Sequence, residues 1–456
     1  MHRGRYRTGL GWVSAACAAA TLAAGCTQFK ANGPLENWEK TRPLLSMGSN
    51  PGADDTVLIL AFSGGGTRAA AFSYGVLEEL RDTVIEVDGR PQRLLDEVDV
   101  ISGVSGGSFT AAYYGLFGDR IFDDFEKRFL RKKWERRMWR TLFNPVNWVR
   151  LASPGFNRSD LAAELYDKGV FERKTVVDFG DVPGPAIVIN ATDFMRGSSF
   201  SFTREHFDPI CNELLTYPIA RAVAASAAVP GPFPPLRVHN YAGTCGYQEP
   251  EWIDTAVAKA RRGSRRYYEA VTARSYVDGS GGNYVWAVDG GITDNLGIRS
   301  AFDRVVQEGS LQRLLEGAGF TRTRQIVIIV VNAQTQPELE LERLNLFQSI
   351  ALMTGVSAGI QIRRFNFETI ELVRRSFENW TRRLGDAGRP AEFQLVELNF
   401  SNLRDDEERR YFNNLPTSLS LDDEAIDRLR ETGRRLLRES PEFQKALRHA
   451  NVIPAG

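Results

Sequence analysis

Two short apolar runs, Val57 to Phe62 and Val98 to Ile101, each lead into a glycine-bearing turn followed by small residues at helical spacing. This repeated unit constrains the fold more than any other feature of the chain. The first run enters Ser63-Gly64-Gly65-Gly66 and then Thr67 to Arg81, where Ala70, Tyr74, Leu77 and Leu80 recur at helical intervals. The second enters Gly103-Val104-Ser105-Gly106-Gly107 and a helical pattern from Gly106 to Phe117. Two strand-turn-helix units in succession predict an α/β fold, with a mainly parallel sheet covered by helices. Further buried strands are expected at Ala186 to Asn190, Val285 to Val288, Gln325 to Val331 and Phe393 to Leu398. Helices are expected at Pro218 to Ala228, Glu338 to Ala358 and Asp422 to Arg438. No repeat or low-complexity linker divides this series, so residues 56–450 read as one domain with insertions near 120–160 and 237–282.

The 456 residues are 43% hydrophobic, enough for a large core, and Lys plus Arg equals Asp plus Glu at 57 each. No bulk charge therefore points to nucleic acid. At the N-terminus, Arg3, Arg5 and Arg7 precede an apolar stretch from Leu10 to Ala24, about 15 residues, short of the ~20 a membrane span needs. Leu22-Ala23-Ala24-Gly25-Cys26 resembles a bacterial lipobox. The resemblance implies that residues 1–25 are an export signal and that Cys26 carries lipid. It also implies that 26–55 is a flexible tether and, with Thr27 in place of Asp, that the address is the outer membrane. Cys17 leaves with the signal, and Cys211 and Cys245 remain as either a disulfide formed in an oxidising compartment or two separate thiols.

The first insertion interleaves eight Lys and Arg residues between Lys127 and Arg140 with Phe129, Trp134, Trp139, Phe143 and Trp148. Two readings fit residues 125–148: a helix lying on an anionic lipid surface, or a cap helix packed on the domain with a solvated basic face. The second insertion, rich in glycine and arginine, reads as a surface excursion.

Ser105 sits where a strand-to-helix corner would expose its hydroxyl, but a serine needs a base to take its proton. Once residues 1–25 are removed the chain has only His206, His239 and His449, and none follows an evident buried strand. Asp289, in Asp289-Gly290-Gly291 at the end of the Val285 to Val288 strand, is placed to meet Ser105 at the carboxyl ends of the strands. By itself it also fits a turn-forming Asp. The Gly64-Gly65-Gly66 loop opens a helix, so its backbone N–H groups can converge on a negative oxygen. It lacks the spacer and Gly-Lys-Ser/Thr of a phosphate-binding loop.

The blocks Gly64-Gly65-Gly66-Thr67-Arg68, Gly103 to Gly107 and Asp289-Gly290-Gly291 together resemble the signature blocks of patatin-like phospholipases. Asn190-Ala191-Thr192-Asp193 and Ala225 to Pro230 resemble family blocks lying between them, and Ala69 departs from the family's usual glycine. The resemblance implies a three-layer α/β/α sandwich and a lipid acyl hydrolase. In it Ser105 is the nucleophile, Asp289 the proton acceptor, and Gly64, Gly65, Gly66 and Arg68 the oxyanion hole, with Gly103, Gly107, Gly290 and Gly291 as motif glycines. No cofactor or metal is expected, and the partner is membrane lipid. The alternatives are a non-catalytic envelope lipoprotein that binds lipid or a partner, and an α/β-hydrolase esterase using His449.

Overall fold

The computed structural model describes residues 32–41, 55–87, 89–336, 350–386 and 388–449. Its strands run in chain order as β1 (Thr56–Phe62), β2 (Val84–Val87), β3 (Arg90–Arg93), β4 (Val98–Val104), β5 (Ala186–Asp193), β6 (Ser198–Ser201), β7 (Leu236–His239), β8 (Tyr284–Asp289), β9 (Gln325–Asn332) and β10 (Glu392–Asn399). β2 and β3 form a separate hairpin, and the rest build one sheet in the order β10-β9-β1-β4-β5-β8-β7, with β6 beside β5. The pairs from β10 through β5 are parallel, whereas β8 is antiparallel to both β5 and β7.

Side-chain alternation along the strands divides the apolar residues between two layers of helices. Leu58, Leu60 and Phe62 of β1 face a core with Phe72, Leu77 and Phe109, from the helices Gly66–Asp82 and Gly106–Phe117. Val57 and Ala61 of the same strand face a second core with Phe302, Ile370, Val373 and Phe377. The result is three layers, α/β/α, as the resemblance to patatin-like phospholipases implies.

The helix Asp423–Glu439 begins as expected, with the Asp422 side chain accepting the Ala425 N–H. The expectation of a helix from Glu338 to Ala358 falls partly outside the described residues, and the observed helix runs Ile350–Asp386. Its Ile370, Val373 and Phe377 occupy one face, diluted in the sequence by charged residues on the others. β2, β3, β6 and β7 span four residues each, too few to display a period.

The second insertion is more ordered than a surface excursion. Its helices Glu251–Lys259 and Arg265–Val277 close a small apolar cluster of Ile253, Ala256 and Ala270. Cys211 and Cys245 form a disulfide with Cα atoms 5.5 Å apart. Cys26 and most of the expected tether lie outside the described residues, but 32–41 are not a free tether. Leu35 N–H donates to Cys211 O at 2.7 Å and Trp38 N–H to Cys245 O at 3.1 Å, because the cystine and nearby rings offer Leu35 and Trp38 an apolar seat. No helix among the described residues is long and apolar enough to cross a membrane.

Candidate active site

β4 ends at Val104 and the next helix begins at Gly106, leaving Ser105 on the corner with φ 49° and ψ −117°. A side chain at positive φ carries about 1–3 kcal/mol of strain, so surrounding bonds must hold it. Ser105 N–H donates to Ser226 Oγ at 2.8 Å, and the Ser226 hydroxyl donates to Asn190 O at 2.6 Å. Ser105 O in turn accepts the Ser108 hydroxyl at 2.6 Å. Beneath this, the Asn190 amide donates to Ser102 Oγ at 2.8 Å and to Gly103 O at 3.2 Å, and its oxygen accepts Ser201 Oγ at 2.8 Å. The corner therefore rests on a buried, mutually bonded polar floor.

Close packing explains the flanking glycines better than backbone freedom does. A Cβ on Gly106 would stand 1.9 Å from Gly66 O, and one on Gly107 would stand 2.6 Å from Phe62 O. The Ser105 corner and the Gly64–Gly66 loop thus touch backbone to backbone.

Asp289 ends β8, which descends antiparallel to β5 with Asp289 opposite Ala191. Ser105 and Asp289 both stand at the carboxyl ends of their strands, but those two ends meet from opposite directions. Asp289 Oδ1 accepts the Gly291 N–H at 2.8 Å, its own N–H donates to Ala228 O at 3.0 Å, and its carbonyl accepts Thr192 Oγ1 at 2.9 Å. Burial pushes its carboxyl up to about 6, against the Gly291 N–H and the nearby Ser105 hydroxyl, which both pull it down.

The Gly64–Arg68 loop divides into engaged and open groups. Gly64 N–H donates to Asn295 O at 3.0 Å and Thr67 N–H to Ser418 O at 2.9 Å. The Arg68 guanidinium, pushed down to about 10 by burial, donates to Ala333 O at 2.9 Å, Leu415 O at 2.6 Å and Thr417 Oγ1 at 3.0 Å. Arg68 therefore braces the 415–418 segment, and its Nη2 lies 3.4 Å from where a Cβ on Gly65 would stand. The Gly65 and Gly66 N–H groups meet no acceptor among the described residues, and they open the helix Gly66–Asp82.

Neither His206, packed on Phe200 at 5.2 Å between ring centroids, nor His239, packed on Tyr284 at 4.4 Å, approaches Ser105 through a hydrogen bond. His449 ends the helix Pro441–His449. Ser226, Asn190 and Asn295 were not singled out by sequence reasoning. Two of them lie in small-residue blocks quoted above, Asn-Ala-Thr-Asp and Ala-Ser-Ala-Ala, whose lack of bulk was the available signal. Asn295 Oδ1 would stand 2.5 Å from a Cβ on Gly64 and 3.0 Å from one on Gly291, so it wedges between loop and acid turn. A cavity of about 1590 Å³ opens elsewhere, bordered by Val57, Ile59, Ser102 and Thr293 and lined by neither Ser105 nor Asp289.

The family model for patatin-like phospholipases matches residues 60–302, more than half of the chain. No curated protein matches it. Among solved structures, human GIVD cytosolic phospholipase A2 is similar at 14% identity and TM-score 0.43, over 95% of this chain and 64% of that one, in its complex with methyl gamma-linolenyl fluorophosphonate and terbium chloride. Another structure of human GIVD cytosolic phospholipase A2 is similar at 13% identity and TM-score 0.37, over 60% of this chain and 45% of that one. The chain spans less than two thirds of the length of these neighbours.

Proposed function

Because the chain belongs to the patatin-like phospholipase family, we propose that it hydrolyses acyl esters of lipids, with Ser105 as nucleophile and Asp289 as its base. The observation that carries the reading is the facing pair itself: a serine held on a strained corner beside a buried carboxyl at about 6. Such a carboxylate is ionised at neutral pH yet accepts a proton more readily than an ordinary Asp.

Ser105 Oγ attacks the acyl carbonyl carbon as Asp289 takes its proton. The carbonyl oxygen becomes an oxyanion facing the open N–H groups of Gly65 and Gly66, where the helix N-terminus adds positive potential. Collapse breaks the ester bond, and the leaving alcohol takes the proton from Asp289. Water, deprotonated by the same carboxylate, then attacks the acyl-enzyme and releases the fatty acid with Ser105 restored. Exposed apolar side chains close to Asp289 in sequence or bonding, Val229 and Ile292, suit an acyl chain. Export and attachment to an outer membrane through Cys26 would keep such an enzyme beside its insoluble substrate.

Incubating the purified chain with phospholipid, lysophospholipid and glyceride esters, with Ser105→Ala alongside, tests this. Fatty acid release from at least one ester, absent in the variant, is expected, with fluorophosphonate labelling of Ser105. A folded chain that releases nothing and resists labelling would overturn it.

A further inference from the structure

The helices Trp134–Leu142 and Pro145–Leu151 turn apolar side chains outward and a polar one inward. Trp139, Phe143, Val146, Trp148 and Val149 are 46–68% exposed, whereas Asn147 is 7% exposed. The turn is built to hold this arrangement. Asn144 caps the second helix by accepting the Val146 N–H at 3.1 Å, Asn147 Nδ2 donates to Thr141 O at 2.8 Å, and Trp148 Nε1 donates to Leu142 O at 2.8 Å. Trp139 and Phe143, one turn apart, stack with centroids 5.7 Å apart. The indole N–H of Trp148 is satisfied while its ring remains in solvent.

The charges on this face have one sign. Arg136 and Arg140 share the face of Trp139 and Phe143 by helical spacing, and Arg137 flanks them. None of the three pairs with a carboxylate among the described residues, in contrast to Arg128, Arg131 and Arg150 at the edges, which bridge Asp124, Glu126 and Glu164. Glu135 is the single acidic residue from Lys132 to Leu151, and its Oε1 accepts Leu419 N–H at 3.3 Å. Exposed rings at headgroup depth with unneutralised guanidinium groups beside them match an anionic bilayer surface, where each cation contributes about 1 kcal/mol.

The face also connects to the reaction centre. Lys133 Nζ donates to Leu421 O at 3.0 Å, so the base of the first helix grips the 415–421 segment that Arg68 braces and whose Ser418 O receives Thr67 N–H. We propose that the exposed face of helices 134–142 and 145–151 seats the protein on an anionic lipid surface. The surface rests on the lipid-ester reading for its purpose, not for its geometry.

Tryptophan quenching on vesicles with bromine-labelled acyl chains tests it independently of turnover and of any lipid on Cys26, using the full chain with Ser105→Ala and Cys26→Ala. Vesicles containing phosphatidylglycerol should quench fluorescence, and vesicles of phosphatidylcholine alone should do so at least fivefold less. Trp139→Phe with Trp148→Phe should remove most of the quenching, and Arg136→Glu with Arg140→Glu should abolish the preference for the anionic vesicles. Equal quenching on both vesicle types, or quenching that survives loss of both tryptophans, would overturn the proposal. So would concentration-dependent self-association that Trp139→Ala removes, since the face would then join copies of the chain. Failure of hydrolysis with these results intact would instead count against the lipid-ester reading.

Discussion

Around Ser105 polar groups lie inside and are bonded to one another; on helices 134–142 and 145–151 apolar groups lie outside and cover nothing within the described residues. Both regions depart from the ordinary partition of a folded chain, in opposite directions. The departures have different physical supports. Buried polarity at the corner survives because Ser226, Asn190, Ser102 and Ser201 satisfy each other, so its strain is held by the surrounding sheet, while burial raises the pKa of Asp289 beside it. Exposed apolarity on the helix pair survives because the first helix is anchored in the core on its other side by Trp134 and Met138, and a local polar turn, Asn144 with Asn147, fixes the second against it. Changes at the first region should thus alter chemistry and stability together. Changes at the second should alter only where the protein sits.

The hardest test of that contrast is Ser105→Ala, expected to lower kcat by about 10⁴-fold or more while leaving vesicle association unchanged. Ser105→Gly should be equally inactive but more stable by roughly 1 kcal/mol in denaturant titration, since glycine accepts φ 49° without strain. If glycine does not stabilise, the corner is not strained in the way its backbone indicates.

Asp289→Asn should cost about 10³–10⁴-fold in kcat and yet raise the melting temperature at pH 8. The folded carboxyl holds its proton up to about pH 6, against 3.8 for an ordinary Asp, so the folded state loses relative stability as pH rises from about 3.8 to 6 and does not regain it above. Asparagine removes that deficit, worth at most roughly 3 kcal/mol, so the gain should be full at pH 8 and vanish near pH 3.5. For the wild-type chain, kcat/KM should fall tenfold per unit below about pH 6 as Asp289 protonates. A profile flat to pH 4.5 would argue against Asp289 as the base.

Ser226→Ala should have a smaller effect, about tenfold on kcat with little change in KM. It leaves the Ser105 N–H and Asn190 O without their bridging hydroxyl and destabilises the fold by about 1–3 kcal/mol. Smallest in chemical terms is Trp139→Ala with Phe143→Ala, expected to leave turnover of a dispersed short-chain ester within twofold and melting nearly unchanged. A tenfold loss on the dispersed ester would mean that the two regions are not separable.

Much of the centre was legible because it is local. A strand, a glycine turn and a helix are written in consecutive residues, so β1, β4, their helices and the Ser105 corner follow from spacing and small side chains. Asp289-Gly290-Gly291 was legible as a strand end, but the sense of its strand was not, since neither hydrophobic period nor turn chemistry distinguishes β8 running antiparallel to β5 from its parallel alternative. Arg68 shows the same limit. Its place in the loop is a matter of sequence, whereas its direction depends on Ala333, Leu415 and Thr417, carbonyls and a hydroxyl supplied from the far end of the chain. For residues 125–148 the sequence left two readings open because both need the same amphipathic composition. Folding divides them, with Phe129 and Trp134 buried in the core and Trp139, Phe143 and Trp148 left in solvent.

What the sequence determined by itself, then, was the set of elements and the residue types at their ends, because backbone sterics and side-chain period act over a few residues. Which donors remain open, which serine supports the Ser105 corner and which aromatic rings stay outside were decided only by tertiary structure. Each depends on groups distant in the chain competing for the same hydrogen bonds and the same buried volume.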